Sequence, residues 1–323
     1  MRAARVTTLD GPASVTVDEV EAPVRGPGQI LVDVHVAGVN FPDVLQSKGL
    51  YQMKPDLPFI PGSECAGVVR EAGENSPFEP GDRVAAFPVL GALAETVSVP
   101  EGMVFPLPDS VPFEVGAALP MNYLTVHFAL TRRGRLERGE TVLVHGAAGG
   151  IGTAAIQLAR AMDARVIAVV SSDAKAEVAR AAGAHHVVKA DEFLTRAKEL
   201  TGGRGVDIVV DPVGGDRFTD SLRSLAIEGR VLVIGFTAGA IPEVKVNRLL
   251  LSNTSVVGVA WGAFWTLEPD YIREQWHAII PLVEQGLLDP PIGARHDLSD
   301  VAAALGEIED RRAFGKVVVR VRP

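Results

Sequence analysis

At 323 residues the chain exceeds a single average domain, so two domains are expected. A hydrophobic content of 47% against 22% charged residues fits an ordinary globular protein and argues against extended disorder. The formal net charge of -9 disfavours a nucleic-acid backbone as partner, yet leaves room for one phosphate held in a local basic pocket.

Residues 1–6 carry no apolar h-region and run straight into strand-like alternation, which argues against a secretory signal. No uninterrupted apolar stretch is long enough to span a bilayer, so no membrane partner is expected. Cys65 is the single cysteine, which rules out an intrachain disulfide and a multi-thiolate zinc site. A reduced, soluble compartment, the cytoplasm, is the expectation.

Residues 1 to about 120 show short β-rich runs at 15–20, 30–36, 66–71 and 96–99. Turn signals such as Arg25-Gly26-Pro27-Gly28 and Glu79-Pro80-Gly81-Asp82 separate them. Many short strands with few helices predict a barrel-like β domain. From about Met121 the pattern becomes strand–helix–strand. Strands are expected at 141–145, 165–170, 206–211, 230–235 and 255–259, with helices at about 152–162 and 175–182. Apolar strands spaced by amphipathic helices predict a parallel sheet covered on both faces. The remaining chain reads as helices at 271–286 and 301–310 and a strand at 316–321, and is expected to rejoin the first domain.

The run Val142-Leu143-Val144-His145-Gly146-Ala147-Ala148-Gly149-Gly150-Ile151-Gly152 places a glycine-rich turn where a strand ends and a helix begins. There the backbone of Ala148, Gly149, Gly150 and Ile151 can approach a pyrophosphate, and Gly152 allows close helix–sheet packing. The helix N-terminus favours an anion by roughly 0.3–2 kcal/mol. Ala147 departs from the strict glycine fingerprint, and a tight turn with no ligand is the bland reading. The strand before and the helix and strand after nevertheless favour dinucleotide binding.

A count of about twenty residues from the glycines reaches Asp173, the place for an acid that would select NAD. Asp173 reads instead as a first-turn residue of the next helix, leaving Ser171, Ser172 and Lys175 around the strand tip. Hydroxyls and an ammonium suit the 2′-phosphate of NADPH, each charge-assisted bond being worth about 1.5–3 kcal/mol. The alternative is that a serine only caps the helix and Lys175 is solvated.

Six segments together resemble the medium-chain dehydrogenase/reductases, and within them the zinc-free quinone oxidoreductase and zeta-crystallin branch. They are Gly38-Val39-Asn40-Phe41-Pro42-Asp43, Pro61-Gly62-Ser63-Glu64-Cys65-Ala66-Gly67, Pro80-Gly81-Asp82-Arg83-Val84, His145 to Gly152, Val210-Asp211-Pro212-Val213-Gly214-Gly215 and Gly315-Lys316-Val317-Val318. The resemblance runs essentially end to end. It implies an α/β protein: a GroES-like β-barrel domain with a Rossmann-type doubly wound parallel sheet, and an active site in the cleft between them. Residues 1–121 would begin the GroES-like domain, 122–266 would form the dinucleotide-binding domain, and 267–323 would return to the first. Homo-oligomers, commonly homodimers, are also implied.

The positions that hold catalytic zinc in alcohol dehydrogenases of this superfamily match Asn40, Ser63 and Met121 here, and no metal is expected. Cys65 reads more simply as a buried small hydrophobe. Without a Lewis acid the chemistry should be reduction of an already activated acceptor.

The family motif places Asn40 and Asp43 nearest the nicotinamide; the competing reading makes Asn40 a helix N-cap with Asp43 as an imperfect capping box. Tyr51 matches a pocket tyrosine whose hydroxyl would bond a carbonyl oxygen, or else it is a packing residue. Another family tyrosine is replaced by Leu45, which implies a more apolar pocket. Thr125 matches a threonine near the nicotinamide half of the cofactor, or else bonds its own backbone. The turns at Gly235-Phe236-Thr237 and Gly258-Val259-Ala260-Trp261 would present backbone groups to the carboxamide. Arg311 aligns with an arginine reaching the 2′-phosphate, but the adjacent Arg312 is not separable from it. The His185-His186 pair reads as the edge of the third strand.

The expected activity is direct hydride transfer from NADPH to a quinone or related conjugated carbonyl. An enoyl- or acryloyl-thioester or enone C=C reductase is the first alternative. An NADPH-binding protein with little turnover is the second, and a zinc alcohol dehydrogenase, opposed by the missing ligands, is the third.

Overall fold

The computed structural model describes residues 1–322. The chain divides into two units: Met1–Met121, Pro269–Glu284 and the chain from Ile292 onward form the first, and Asn122–Glu268 with Gln285–Pro291 the second. Gln285–Pro291 is held in the second unit by Gln157. Its Nε2 donates to the Asp289 carbonyl at 2.7 Å, and the Asp289 N–H donates to its Oε1 at 2.9 Å.

In the first unit, β1 (Arg2–Arg5) and β2 (Thr16–Glu19) form an antiparallel pair. The longest strand, β3 (Gln29–Val39), is followed by β4 (Glu64–Glu71), β5 (Arg83–Ala86), β6 (Thr96–Pro100) and β7 (Val104–Pro106). β3 pairs antiparallel with both β4 and β6. Five of its eleven residues, Ile30, Val32, Val34, Val36 and Val39, are β-branched, which suits it to the centre of a sheet.

The second unit is a parallel sheet built from β8 (Thr141–Val144), β9 (Arg165–Val170), β10 (His186–Lys189), β11 (Val206–Asp211), β12 (Leu225–Val233) and β13 (Ser255–Gly258). Its order, β10-β9-β8-β11-β12-β13, reverses direction of winding between β8 and β11, the switch point of a doubly wound sheet. β8 and β11 are buried along their whole length, as expected for strands covered on both faces. Leu143, Ile167, Val209 and Val231 pack with Phe193, Phe218 and Leu222 into one core. The chain then returns to the first unit through the helix Tyr271–Glu284, β14 (Ile292–Asp297) and β15 (Lys316–Arg320). β15 pairs antiparallel with β3 and parallel with β14, which completes a seven-stranded sheet. Trp276, on the returning helix, stacks on Phe105 at 4.9 Å and donates to the Pro106 carbonyl.

Two differences from the sequence expectation have local causes. β12 starts at Leu225 rather than 230, because Leu225 already pairs with Val206 before a register shift, with Glu228 at φ 66°, after which pairing resumes at Arg230. β14 escaped notice because its exposed face alternates Gly293, Arg295 and Asp297 with half-buried residues, giving little apolar contrast. No helix among the described residues is long and apolar enough to cross a membrane.

Candidate functional site

The second unit ends β8 at Val144 and starts the helix Gly150–Ala161 after five residues. A Cβ at Gly152 would lie 2.2 Å from the Gly146 carbonyl oxygen and 2.6 Å from the Ala147 Cα, so only glycine fits there. The Gly149 N–H donates to the Gly146 carbonyl at 3.0 Å, which makes Gly149 a pivot of the turn rather than a donor to a ligand. Helix geometry leaves the N–H groups of Gly150, Ile151 and Gly152 without intrahelical partners. Gly150 and Ile151 are partly exposed, whereas Ala148 is buried. This cradle of amides fits a pyrophosphate. Behind it, His145 is fully buried, with Nε2 2.9 Å from the Ser221 hydroxyl and Nδ1 unpartnered. Burial lowers its pKa to about 4, so the imidazole is neutral.

At the tip of β9, Ser171 is exposed and Ser172 caps the helix Asp173–Ala181, its hydroxyl accepting from the Lys175 N–H at 3.3 Å. Asp173 is the first residue of that helix. Its carboxylate accepts from Lys189, at the end of β10, at 2.6 Å, and this contact holds its pKa below the ordinary value. Lys189, opposite Val170 at the tip of β9, thus brings an ammonium to Asp173, a contact invisible to a count along the sequence.

In the first unit, the helix Phe41–Ser47 follows β3, with Asn40 as N-cap and Pro42 in its first turn. The Asn40 N–H donates to Asp43 Oδ2 at 2.7 Å, the capping-box contact read from the sequence. Asp43 is wholly buried and its Oδ1 has no partner. Burial raises its pKa to about 7 against the opposing pull of the Asn40 N–H and Lys316. The Asn40 carboxamide donates to Glu64 Oε1 at 2.8 Å and to the Ser63 hydroxyl at 3.3 Å, and its oxygen accepts from Lys316 Nζ at 2.6 Å. Lys316 also pairs with Glu64, and both are buried. Glu64 Oε2 accepts from the Met121 N–H at 2.7 Å. Asn40 therefore has both amide hydrogens engaged and keeps acceptor capacity only. Tyr51 is half-buried, and its hydroxyl pKa is raised by burial and then by nearby Asp43, so it is a donor at neutral pH.

Thr125 lies buried in the helix Pro120–His127, in the part that belongs to the second unit. The adjacent Asn122, which the sequence reading passed over, has its carboxamide so close to Gly150 that a Cβ there would meet Nδ2 at 2.3 Å. The turn at Gly235 and Phe236 folds onto the turn after β11: Thr237 N–H donates to the Pro212 carbonyl and Ala238 N–H to that of Val213. The Val259 N–H is engaged with Val233, leaving its carbonyl as the group it can offer. Arg311 and Arg312 are both exposed past a helix end of the first unit, Arg311 at φ 57° and Arg312 paired with Asp310. His186 opens β10 and His185 precedes it, as read.

The Asn40, Ser63 and Met121 positions do not fit a zinc ion. The amide hydrogens of Asn40 face its neighbours, Met121 contributes a backbone N–H, and the Lys316 ammonium already sits against Asn40 and Glu64. Cys65 is buried, and burial pushes its thiol pKa far up, which disfavours a thiolate ligand.

Family models described as "Alcohol dehydrogenase GroES-like domain" and "Zinc-binding dehydrogenase" match residues 26–109 and 150–285. The mouse "Quinone oxidoreductase-like protein 2" is 39% identical over 325 aligned residues, covering 99% of this chain and 92% of that protein. A solved structure from Mycobacterium abscessus, described as "a probable oxidoreductase", shares 47% identity with a TM-score of 0.92, covering 99% of both chains. The quinone oxidoreductase of Thermus thermophilus, solved with its NADPH complex, shares 35% identity with a TM-score of 0.86, over 99% of this chain and 100% of that one.

Proposed function

The chain belongs to the medium-chain dehydrogenase/reductase family, in its quinone oxidoreductase branch, and on that premise we propose that it carries hydride from NADPH to a quinone or related conjugated carbonyl without zinc. The observation that carries this reading is the amide cradle at the helix start, where Gly150 and Ile151 are partly exposed and Gly152 is buried, with Ser171, Lys175 and Lys189 around the next strand tips. The cradle holds the pyrophosphate, and the Lys175 ammonium favours the 2′-phosphate over a plain ribose, the Lys189 charge being matched by Asp173. When bound, the nicotinamide supplies the hydride. The Tyr51 hydroxyl donates to the developing oxyanion of the acceptor, and the Asn40 carbonyl oxygen accepts a hydrogen bond from the bound ligand. Asp43 anchors Asn40 through its backbone N–H. Arg311, Thr125 and the turns at Gly235, Phe236 and Val259 complete the proposed cofactor site. The zinc-free part rests on the Lys316 ammonium, which stands among the donors a metal would need. A cytoplasmic location is part of the proposal and rests on the free, buried thiol of Cys65.

The deciding experiment follows NADPH and NADH oxidation with 1,4-benzoquinone, a simple enone and crotonyl-CoA after exhaustive EDTA treatment. The expected result is EDTA-insensitive oxidation of NADPH by the quinone, with NADH poorer in kcat/KM by roughly ten- to a hundredfold, the equivalent of one charge-assisted bond. Lys175→Glu should erase or invert that preference. A preference for the thioester or enone would move the assignment to a C=C reductase, and an unchanged cofactor preference in the variant would remove Lys175 from the phosphate site.

We extend the proposal to a homodimer formed through β13. That strand ends the parallel sheet with one edge unpaired, and Val256 on it and Leu250 and Leu251 just before it are exposed. Light scattering at micromolar concentration is expected to give twice the chain mass, and Val256→Lys to shift it to monomer. A wild-type protein that elutes as a monomer would overturn the dimer.

A further inference from the structure

Lys316 is buried against Asn40 and Glu64, and these surroundings assign it a role beyond opposing a metal. β15 runs antiparallel to β3 with Val317 opposite Val39 and Val318 opposite Gly38, so the register brings Lys316 opposite Asn40. On the other side of β3, Glu64 is opposite Gly38. A Cβ at Gly38 would lie 2.6 Å from Glu64 Oε1 and 2.8 Å from Lys316 Cε, so the missing side chain is what lets ammonium and carboxylate meet across β3. The pair encloses the Asn40 carboxamide from both ends: Lys316 donates to its oxygen, and its nitrogen donates to Glu64. A flipped amide would set its hydrogens against the ammonium and its oxygen against the carboxylate, so only one orientation is compatible with the pair.

We propose that Lys316 and Glu64 are positioning residues for the hydride-transfer site, holding Asn40 in the single orientation that presents its carbonyl oxygen to the bound ligand. The inference rests on the functional reading above. It adds a residue pair that acts through Asn40 and does not itself touch the reacting atoms. A buried ion pair is poor evidence of net stabilisation, since apolar replacements of the same volume are often as stable. Fixing one polar side chain in one orientation is the benefit such a pair confers here.

Lys316→Met alone leaves the Glu64 carboxylate buried and unpaired, and that variant is expected to fold poorly. The informative variant is Lys316→Met/Glu64→Gln, which removes both charges at nearly constant volume. It should still melt cooperatively as a folded protein and bind NADPH, followed by quenching of its fluorescence, within threefold of wild type. Its kcat with 1,4-benzoquinone should fall at least tenfold. Combined with Asn40→Ala, the double substitution should cost no more than Asn40→Ala alone, because both act through one amide. A double variant with kcat within threefold of wild type, or losses that multiply with Asn40→Ala, would overturn the positioning role. Lys316→Arg, which keeps the charge and a donor, should retain more activity than the double variant whether or not the latter folds; equal or lower activity in a folded Lys316→Arg protein counts against the proposal. Wild-type protein that turns over no acceptor would sink the functional reading itself, an outcome distinct from any of these.

Discussion

Gly152→Ala is expected to abolish NADPH binding, weakening it by at least a hundredfold, about 2.7 kcal/mol. The added carbon would sit 2.2 Å from the Gly146 carbonyl oxygen, 2.6 Å from the Ala147 Cα and 2.7 Å from the Ala147 carbonyl carbon. All three are backbone atoms, so no side-chain rotation relieves the clash. The helix Gly150–Ala161 must then move away from the end of β8, and its first-turn amides lose their common aim. Neighbouring glycines supply the controls. At Gly149, where φ is −89°, the nearest atom to an added Cβ is 3.5 Å away, so Gly149→Ala should fold normally. At Gly150 the obstacle is the Asn122 carboxamide, a side chain that can turn, and an intermediate loss is expected. Fluorescence titration with NADPH and thermal melts of the three variants test the ranking. A Gly152→Ala protein with wild-type affinity would mean that the cradle is not where the cofactor binds.

The dinucleotide turn was legible because everything that makes it is local. Strand, glycines and helix lie within about twenty consecutive residues, and the steric demand at Gly152 arises from Gly146 and Ala147 close by in sequence. The capping contact between Asn40 and Asp43 was legible for the same reason. The Lys316–Glu64–Asn40 cluster was not. Both charged residues stood inside motifs quoted for the resemblance, but Lys316 meets Asn40 across 276 positions, through a strand register that no local pattern encodes. Lys189 escaped for a similar reason: β10 lies beside β9 only once the sheet has formed, and only then does Lys189 reach Asp173. Charged residues at the ends of buried strands were the signal available. Glu64 and Lys316 each open a strand whose next three residues are buried. An unexplained charge at such a place calls for a partner on a neighbouring strand.

Asp43→Asn is expected to change the pH dependence of stability more than any other single substitution at the site. The Asp43 carboxyl has its pKa raised from 3.8 to about 7 in the folded protein. Between these values the folded state keeps a proton that the unfolded chain has lost, so stability falls as pH rises through about 4 to 7 and levels off above. At about 1.4 kcal/mol per unit, the full window amounts to roughly 4 kcal/mol. His145 acts in the opposite sense. Its pKa is lowered from 6.5 to about 4, so the unfolded chain binds the extra proton and stability rises with pH through about 4 to 6.5. In the wild type the two slopes oppose each other over most of this range, and the stability curve should be nearly flat between pH 4.5 and 6.5 as far as these groups set it. Asn at position 43 can still accept the Asn40 N–H, but it does not titrate. The variant should therefore lose the falling component, show the His145 rise uncovered, and exceed the wild type most clearly at pH 8. Urea unfolding of both proteins from pH 5 to 8 measures the difference directly, and exposed ion pairs common to both cancel in it. Parallel curves would mean that Asp43 is ionised throughout, its charge balanced by Lys316 more completely than its burial opposes it.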